Sequence, residues 1–201
     1  LEYRITIPTV VPERLKKLSE VVLERYNLKL IKKTKSEVMR ENYGQKIFQL
    51  INETYCNLYG FSLLSPKQID QFVDTYLGVV NMKMLTFVEN EQGELVGAAL
   101  AMPSIASALQ KCNGEIFPIG WWHILKSMYW KPTDTLELLL IGVRPDYQNR
   151  GVNSVLCVDI LENCHRMGFK YAETNANLET NTKVQAMWSI FEKEQHKKRW
   201  V

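Results

Sequence analysis

A nearly continuous apolar run from Leu136 to Val143 constrains the fold more than any other feature of the chain. A short run of this kind predicts a strand that is covered on both faces. The dipeptide Arg144-Pro145 ends the strand, because backbone before a proline disfavours helix and the proline cannot donate to a sheet. After a polar turn, a helix is predicted from Gly151 to about Met167, with an apolar stripe of Val152, Val155, Leu156, Ile160 and Cys164.

The rest of the sequence alternates between helical and strand-like segments. Residue spacing predicts helices at 12–26, 41–58, 66–77, 121–130 and after Asn181, and strands at 1–7, 28–31, 84–90, 94–102, 169–175 and from 196 onward. Ser65 and Gln68 have the spacing of a capping box, and Gly93 lies in the turn of a predicted antiparallel hairpin. This order predicts a mixed α/β or α+β domain in layers.

Composition limits the classes of function that fit the chain. Its 201 residues suit one domain, and a scattered net charge of +3 does not indicate a nucleic-acid partner. No apolar stretch approaches the ~20 residues that span a bilayer. Four cysteines without a C-x-x-C pair, and no signal peptide, predict reduced thiols in the cytoplasm. The chain begins at Leu1 within a strand-like run, which predicts a missing upstream part.

The polar turn between the buried strand and the following helix is the candidate binding site. Backbone N–H groups at a helix start lack internal partners and carry partial positive charge, so phosphate binds there readily. Gly151 leaves room for a ligand to approach the backbone, and Arg144 and Arg150 add full charges nearby. The turn therefore predicts a pyrophosphate site. A glycine that only permits a tight turn is the alternative.

The same stretch resembles motif A of the GNAT (GCN5-related N-acetyltransferase) superfamily. In that motif a strand and a Val-x-Pro-like turn lead to Gln/Arg-x-x-Gly-x-Gly/Ala, and Gln148, Gly151 and Asn153 stand at the three marked positions. The last position departs from the pattern, since asparagine replaces glycine or alanine. The segment from Asn181 to Trp188 resembles the family's Asn-x-x-Ala-x-x-Leu-Tyr. The resemblance covers roughly residues 28–201, which leaves residues 1–27 as an extension or linker.

The resemblance implies a fold and a cofactor. The fold is a twisted, mostly antiparallel sheet flanked by helices in three layers, with a splayed parallel pair of strands at its centre. The cofactor is acetyl-CoA or another acyl-CoA, whose pantetheine arm bonds the strand's backbone at Ile141 and Val143. The pyrophosphate lies on the turn, at Gln148, Asn149, Arg150, Gly151, Val152, Asn153 and Ser154. Asn181 contacts the pantetheine arm or the end of the neighbouring strand.

The implied reaction is acyl transfer to an amine, which needs a base and a means of stabilising the thiolate. Glu137 matches the position of the catalytic glutamate in histone-type members, although a surface carboxylate is an equal alternative. Trp188 occupies the position of the usual tyrosine acid, and an indole does not donate its proton at neutral pH. Three explanations remain: Tyr147 is the acid, backbone amides stabilise the thiolate, or the domain has lost rapid turnover.

Several questions stay open at the level of sequence. The acceptor is an unidentified small-molecule or peptide amine. Trp121, Trp122 and Trp130 are candidates for lining its pocket, and packing in the core or at an interface is the alternative role for them. The three histidines lack the spacing of metal ligands, so no metal is expected. Two other functions fit the pattern. One is a non-catalytic acyl-CoA-binding module, and the other is an aminoacyl or long-chain acyl transferase that forms half of a tandem GNAT protein.

Overall fold

The structure is a computed structural model that describes residues 1–78, 80–106, 110 and 133–199. Its strands are β1 Glu2–Thr6, β2 Lys29–Ile31, β3 Leu85–Glu89, β4 Leu95–Pro103, β5 Thr135–Val143, β6 Tyr171–Thr174 and β7 Lys193–Lys197. Its helices are α1 Glu13–Arg25, α2 Lys35–Arg40, α3 Tyr43–Tyr55, α4 Pro66–Leu77, α5 Val152–Met167 and α6 Thr182–Trp188. Among these described residues, no helix is both long and apolar enough to cross a membrane. The predicted helix 121–130, with Trp121, Trp122 and Trp130, lies outside them.

The described strands form a mixed sheet in the order β2-β3-β4-β5-β6-β1-β7, which confirms the predicted α/β class. The chain divides into two compact units. One, which we call the hairpin unit, comprises residues 10–100 and 140–163. The other, the terminal unit, comprises residues 1–9, 101–139 and 164–201.

The hairpin unit is built around the predicted antiparallel hairpin of β3 and β4, with β2 antiparallel to β3 on its other side. Gly93 has a positive φ of 75° in the connecting turn. Helices α2 and α3 bury their apolar faces against this sheet, and the Tyr43 ring meets the Phe87 ring edge-on at 4.9 Å. The Ser65–Gln68 capping box begins α4 as predicted. The predicted helix 41–58 begins at Tyr43, because Asn42 adopts left-handed backbone.

The terminal unit contains the parallel pair that the resemblance implies. Residues Thr135–Leu138 of β5 pair with Tyr171–Thr174 of β6, and β5 then continues to Val143. Strand β1 lies between β6 and β7 and is antiparallel to both. The segment before residue 28 therefore supplies one strand of this sheet, while the predicted domain boundary at residue 27 stays a prediction.

Candidate functional site

The turn between β5 and α5 reverses the chain within the hairpin unit. The Arg144 N–H donates to the Val96 carbonyl at 2.9 Å, which ties the end of β5 to β4. A short 3-10 turn follows at Pro145–Tyr147. Asn149 and Gly151 then adopt positive φ angles of 60° and 84° before α5 begins. Left-handed backbone is accessible to asparagine and glycine, which explains these two residue types in the turn.

Gly151 packs directly against helix α1. A Cβ at this position would lie 2.9 Å from Val22 Cγ2 and 3.9 Å from Leu18 Cδ1. Real Cβ atoms do not approach other atoms as closely as the first of these distances. The sequence predicted that Gly151 makes room for a ligand. In the structure, helix α1 fills the space beside its Cα, so the fold itself requires glycine here.

The backbone of the turn exposes a set of donors. Within the described part of the chain, the N–H groups of Asn149, Arg150 and Gly151 have no hydrogen-bond acceptor. The first amides of α5 lack partners inside the helix, as at any helix start. Ser154 donates both its N–H and its hydroxyl to the Gly151 carbonyl, at 2.8 and 2.7 Å. The turn therefore presents adjacent amide donors, with Ser154 engaged in holding its shape.

The two arginines of the turn differ in their surroundings. Arg144 bonds Asp146 through two nitrogens, at 2.8 and 3.0 Å, and Glu94 at 3.2 Å. The bond from Arg144 holds the pKa of Asp146 below its ordinary value. Arg150 is exposed, and its guanidinium lies 5.4 Å from the Tyr26 ring centre and 5.1 Å from that of Tyr147. Arg144 forms direct ion pairs with both carboxylates, whereas Arg150 forms none with a described residue and acts on Asp146 only through its charge.

The carbonyls at the end of β5 already have side-chain partners. The Tyr55 hydroxyl donates to the Ile141 carbonyl at 2.9 Å. The Val143 carbonyl accepts from the Thr54 hydroxyl at 3.3 Å and from the Gln148 amide at 3.2 Å. Burial raises the pKa of Tyr55 above its ordinary value, so this phenol remains a neutral donor. Ile141 and Val143, the predicted pantetheine contacts, are thus bonded to the end of α3.

Val152 is buried and Asn153 is exposed at the start of α5, whereas Glu137 and Asn181 lie in the terminal unit. The Ser104 hydroxyl donates to the Glu137 carboxylate at 2.6 Å, and Glu137 is in register with Glu173 on β6. Asn181 caps α6, since its side chain accepts from the Val184 N–H at 3.4 Å. The guanidinium groups of Arg144 and Arg150 lie 5.0 and 5.1 Å from the centre of the Tyr147 ring. The catalytic and binding roles of these residues stay predictions.

Trp188 is buried, with 6% of its surface exposed. Its indole N–H has no hydrogen-bond partner among the described residues. A buried polar group without a partner is uncommon in folded proteins. The position that resembles the family's tyrosine acid is therefore filled by an enclosed indole, with a donor that the described part of the chain leaves unused.

Sequence reasoning missed two residues beside the predicted site. Tyr55 fits the apolar stripe of its helix, which predicts a core aromatic residue, and Thr54 belongs to no recognised motif. Their hydroxyl contacts depend on how α3 packs against β5 at Gly142, where a Cβ would lie 3.7 Å from Thr54 Oγ1. No local pattern in the sequence encodes that packing.

No protein-family model matches the chain. Two curated proteins are related in sequence. The bacterial ceramide synthase of Caulobacter vibrioides is 23% identical over 104 residues, which cover 52% of this chain and 27% of that protein. Protein YghO of Escherichia coli is 24% identical over 178 residues, which cover 86% of this chain and 44% of that protein. The chain thus spans less than half the length of the curated relatives that it matches.

Solved structures share the fold. A GCN5-related N-acetyltransferase from Sphaerobacter thermophilus matches 96% of this chain and 47% of its own, with a TM-score of 0.57 at 11% identity. An N-acetyltransferase from Staphylococcus aureus matches 81% of both chains, with a TM-score of 0.51 at 11% identity. Similarity at this level of identity shows a shared fold. It confirms the fold that the resemblance to motif A implied.

Proposed function

We propose that this chain, which has the GNAT fold, binds acyl-CoA at the turn between β5 and α5 and transfers the acyl group to an amine. The observation that carries the proposal is the set of adjacent amides at Asn149, Arg150 and Gly151, which have no acceptor within the described residues. Oxygen atoms of a pyrophosphate match such donors, and the exposed guanidinium of Arg150 matches their charge. Asn153 is exposed and leaves the helix start open to the ligand.

Acyl transfer joins the amine nitrogen to the thioester carbonyl carbon and breaks the bond from that carbon to sulfur. The acyl donor supplies an activated carbonyl and a thiolate leaving group. In the proposed reaction Glu137 accepts the proton that the amine loses, and the bond from Ser104 holds the carboxylate in position. Tyr147 is the proposed proton source for the thiolate, because Trp188 stands where the family's usual acid is a tyrosine.

A longer acyl chain or a lipid amine is the second candidate. The relative from Caulobacter vibrioides is named a ceramide synthase, and ceramides are fatty amides. Large apolar side chains are exposed in the hairpin unit just before α4 and on it, at Leu63 and Tyr76. Such side chains suit contact with an apolar ligand. This candidate predicts that palmitoyl-CoA is used in preference to acetyl-CoA.

Two experiments test the proposal. One is calorimetric titration with coenzyme A, and the other measures thiol release from acetyl-CoA and palmitoyl-CoA in the presence of a panel of amines. Binding and amine-dependent thiol release are expected. Arg150→Glu should weaken binding about 10- to 100-fold, because a charge-assisted hydrogen bond is lost. Arg14→Glu, an exposed position on α1, is the control and should leave affinity unchanged. Binding without thiol release would instead identify a non-catalytic acyl-CoA-binding module.

A further inference from the structure

We infer that Tyr55 occupies the ligand-binding edge of β5 and that coenzyme A must displace its hydroxyl to bind. Because this presupposes that the pantetheine arm lies along β5, it rests on the function proposed above. It adds that Tyr55 is a specificity-determining residue. Its hydroxyl lowers the affinity for ligands that extend along the strand and does not change the affinity for ligands confined to the phosphate turn.

The contact between Tyr55 and β5 is well defined. The hydroxyl lies 2.9 Å from the Ile141 carbonyl oxygen, which is an ordinary length for a good hydrogen bond. The Tyr55 ring meets the Phe61 ring edge-on with centres 5.9 Å apart, so the side chain has contacts at its ring as well as at its hydroxyl. The phenol therefore has a fixed position against the strand.

A ligand that extends β5 needs the position of this hydroxyl. Hydrogen bonds to a carbonyl lie near the plane of the C=O group, which is also where an added strand places its N–H donors. An amide donor of the ligand would sit at about 2.9 Å from the Ile141 oxygen, the distance at which the phenol oxygen already lies. A carbonyl oxygen has room for two donors, as the Val143 carbonyl shows, so the phenol competes specifically because it holds the acceptor position that an added strand would use.

Neighbouring contacts set the relative importance of the two hydroxyls. The Ile141 carbonyl has Tyr55 as its side-chain partner, whereas the Val143 carbonyl accepts from both Thr54 and Gln148. Loss of the Thr54 hydroxyl leaves the second donor on Val143 in place. Tyr55 is consequently the residue whose hydroxyl most affects access to the strand.

Competition of this kind has a thermodynamic signature. In the free protein the phenol satisfies the Ile141 carbonyl, and a ligand must break that bond before it forms its own. Removing the Tyr55 hydroxyl leaves the Ile141 carbonyl without its side-chain partner in the free protein. In the complex the ligand supplies the donor, so nothing is lost there. Since a net hydrogen bond contributes about 0.5–1.5 kcal/mol, Tyr55→Phe should tighten coenzyme A binding by roughly 2- to 10-fold.

The experiment compares two ligands by calorimetric titration. Coenzyme A carries the pantetheine arm, and adenosine 3′,5′-bisphosphate carries the nucleotide end without it. Tyr55→Phe should tighten the binding of coenzyme A by roughly 2- to 10-fold and leave the affinity for the bisphosphate unchanged. Tyr59→Phe, which removes an exposed phenol four residues along, is the matched control and should change neither affinity. Thr54→Val should give a smaller gain for coenzyme A than Tyr55→Phe.

Each other result overturns the inference. Unchanged or weaker coenzyme A binding by Tyr55→Phe means that the phenol does not compete or that it contacts the ligand directly. Equal tightening of both ligands means that the substitution acts through the fold and not at the strand edge. If the unaltered chain binds coenzyme A but Tyr55→Phe behaves identically, only the inference fails. If neither protein binds it, the proposed function fails as well.

Discussion

Replacement of Gly151 by alanine tests the structure of the turn at its tightest point. The new Cβ would lie 2.9 Å from Val22 Cγ2, a buried atom of α1, and the residue would keep a φ of 84°. Left-handed backbone costs about 1–2 kcal/mol for a residue with a Cβ, and overpacking costs about 1–3 kcal/mol. We therefore expect Gly151→Ala to lower the free energy of unfolding by roughly 2–5 kcal/mol.

A second substitution separates the two contributions. Val22→Ala removes the atom that the new Cβ would meet, so the double variant should recover the overpacking part, about 1–3 kcal/mol, as a coupling energy. The backbone strain should remain. Gly93→Ala is the matched control, because its φ is 75° and no atom lies within 4 Å of its added Cβ. That substitution should cost only the backbone term and show no coupling to Val22.

Urea unfolding followed by circular dichroism measures each free energy, provided that the slope with denaturant stays constant across the variants. The reasoning is refuted if Gly151→Ala is no more destabilising than Gly93→Ala. It is also refuted if Val22→Ala and Gly151→Ala are simply additive, because α1 would then not pack against the turn.

Three further outcomes are expected. Glu137→Gln should lower turnover about 10²–10⁴-fold with unchanged acetyl-CoA affinity, and the deficit should shrink at high pH because the acceptor amine then loses its proton unaided. The control is Glu91→Gln, at an exposed position. Full activity of Glu137→Gln at every pH would exclude Glu137 as the base. Trp188→Tyr should raise the rate of thiol release, because it returns a phenol donor to the family's position; a lower rate would contradict that reason. Burial raises the pKa of Cys157 to about 12, so this thiol should not react in the folded protein. Iodoacetamide should therefore label exposed Cys56 in the folded protein and Cys157 only after unfolding, and peptide mass spectrometry measures both.

Local signals in the sequence accounted for most of the secondary structure. The hairpin at Gly93 and the capping box at Ser65 depend on neighbouring residues and were predicted. Helix α2 was missed, although Thr34 and Glu37 also form a capping box, because its six residues are too few to show an apolar period. The insertion of β1 between β6 and β7 joins residues far apart in the sequence, and no local pattern encodes such pairing.

The candidate site divides in the same way. Gly151 was identifiable because a tight strand-to-helix turn often needs a glycine, whereas the positive φ of Asn149 was not predicted. The pairing of Arg144 with Glu94, the contact of Val22 with Gly151 and the bond from Tyr55 to β5 arise from packing between elements. Residue types alone therefore predicted an anion site at this turn, which stays a prediction, but not the packing of α1 and α3 around it.

Backbone amide NMR during a titration with acetyl-CoA tests the central claim most directly, since it reports on the N–H groups of the turn one by one. If the pyrophosphate binds there, the amides of Asn149, Arg150 and Gly151 should show the largest saturable shifts, with the first turn of α5 next. Saturable binding that leaves these three amides unmoved, or a titration that shifts no amide at all, would contradict an acyl-CoA site at this turn.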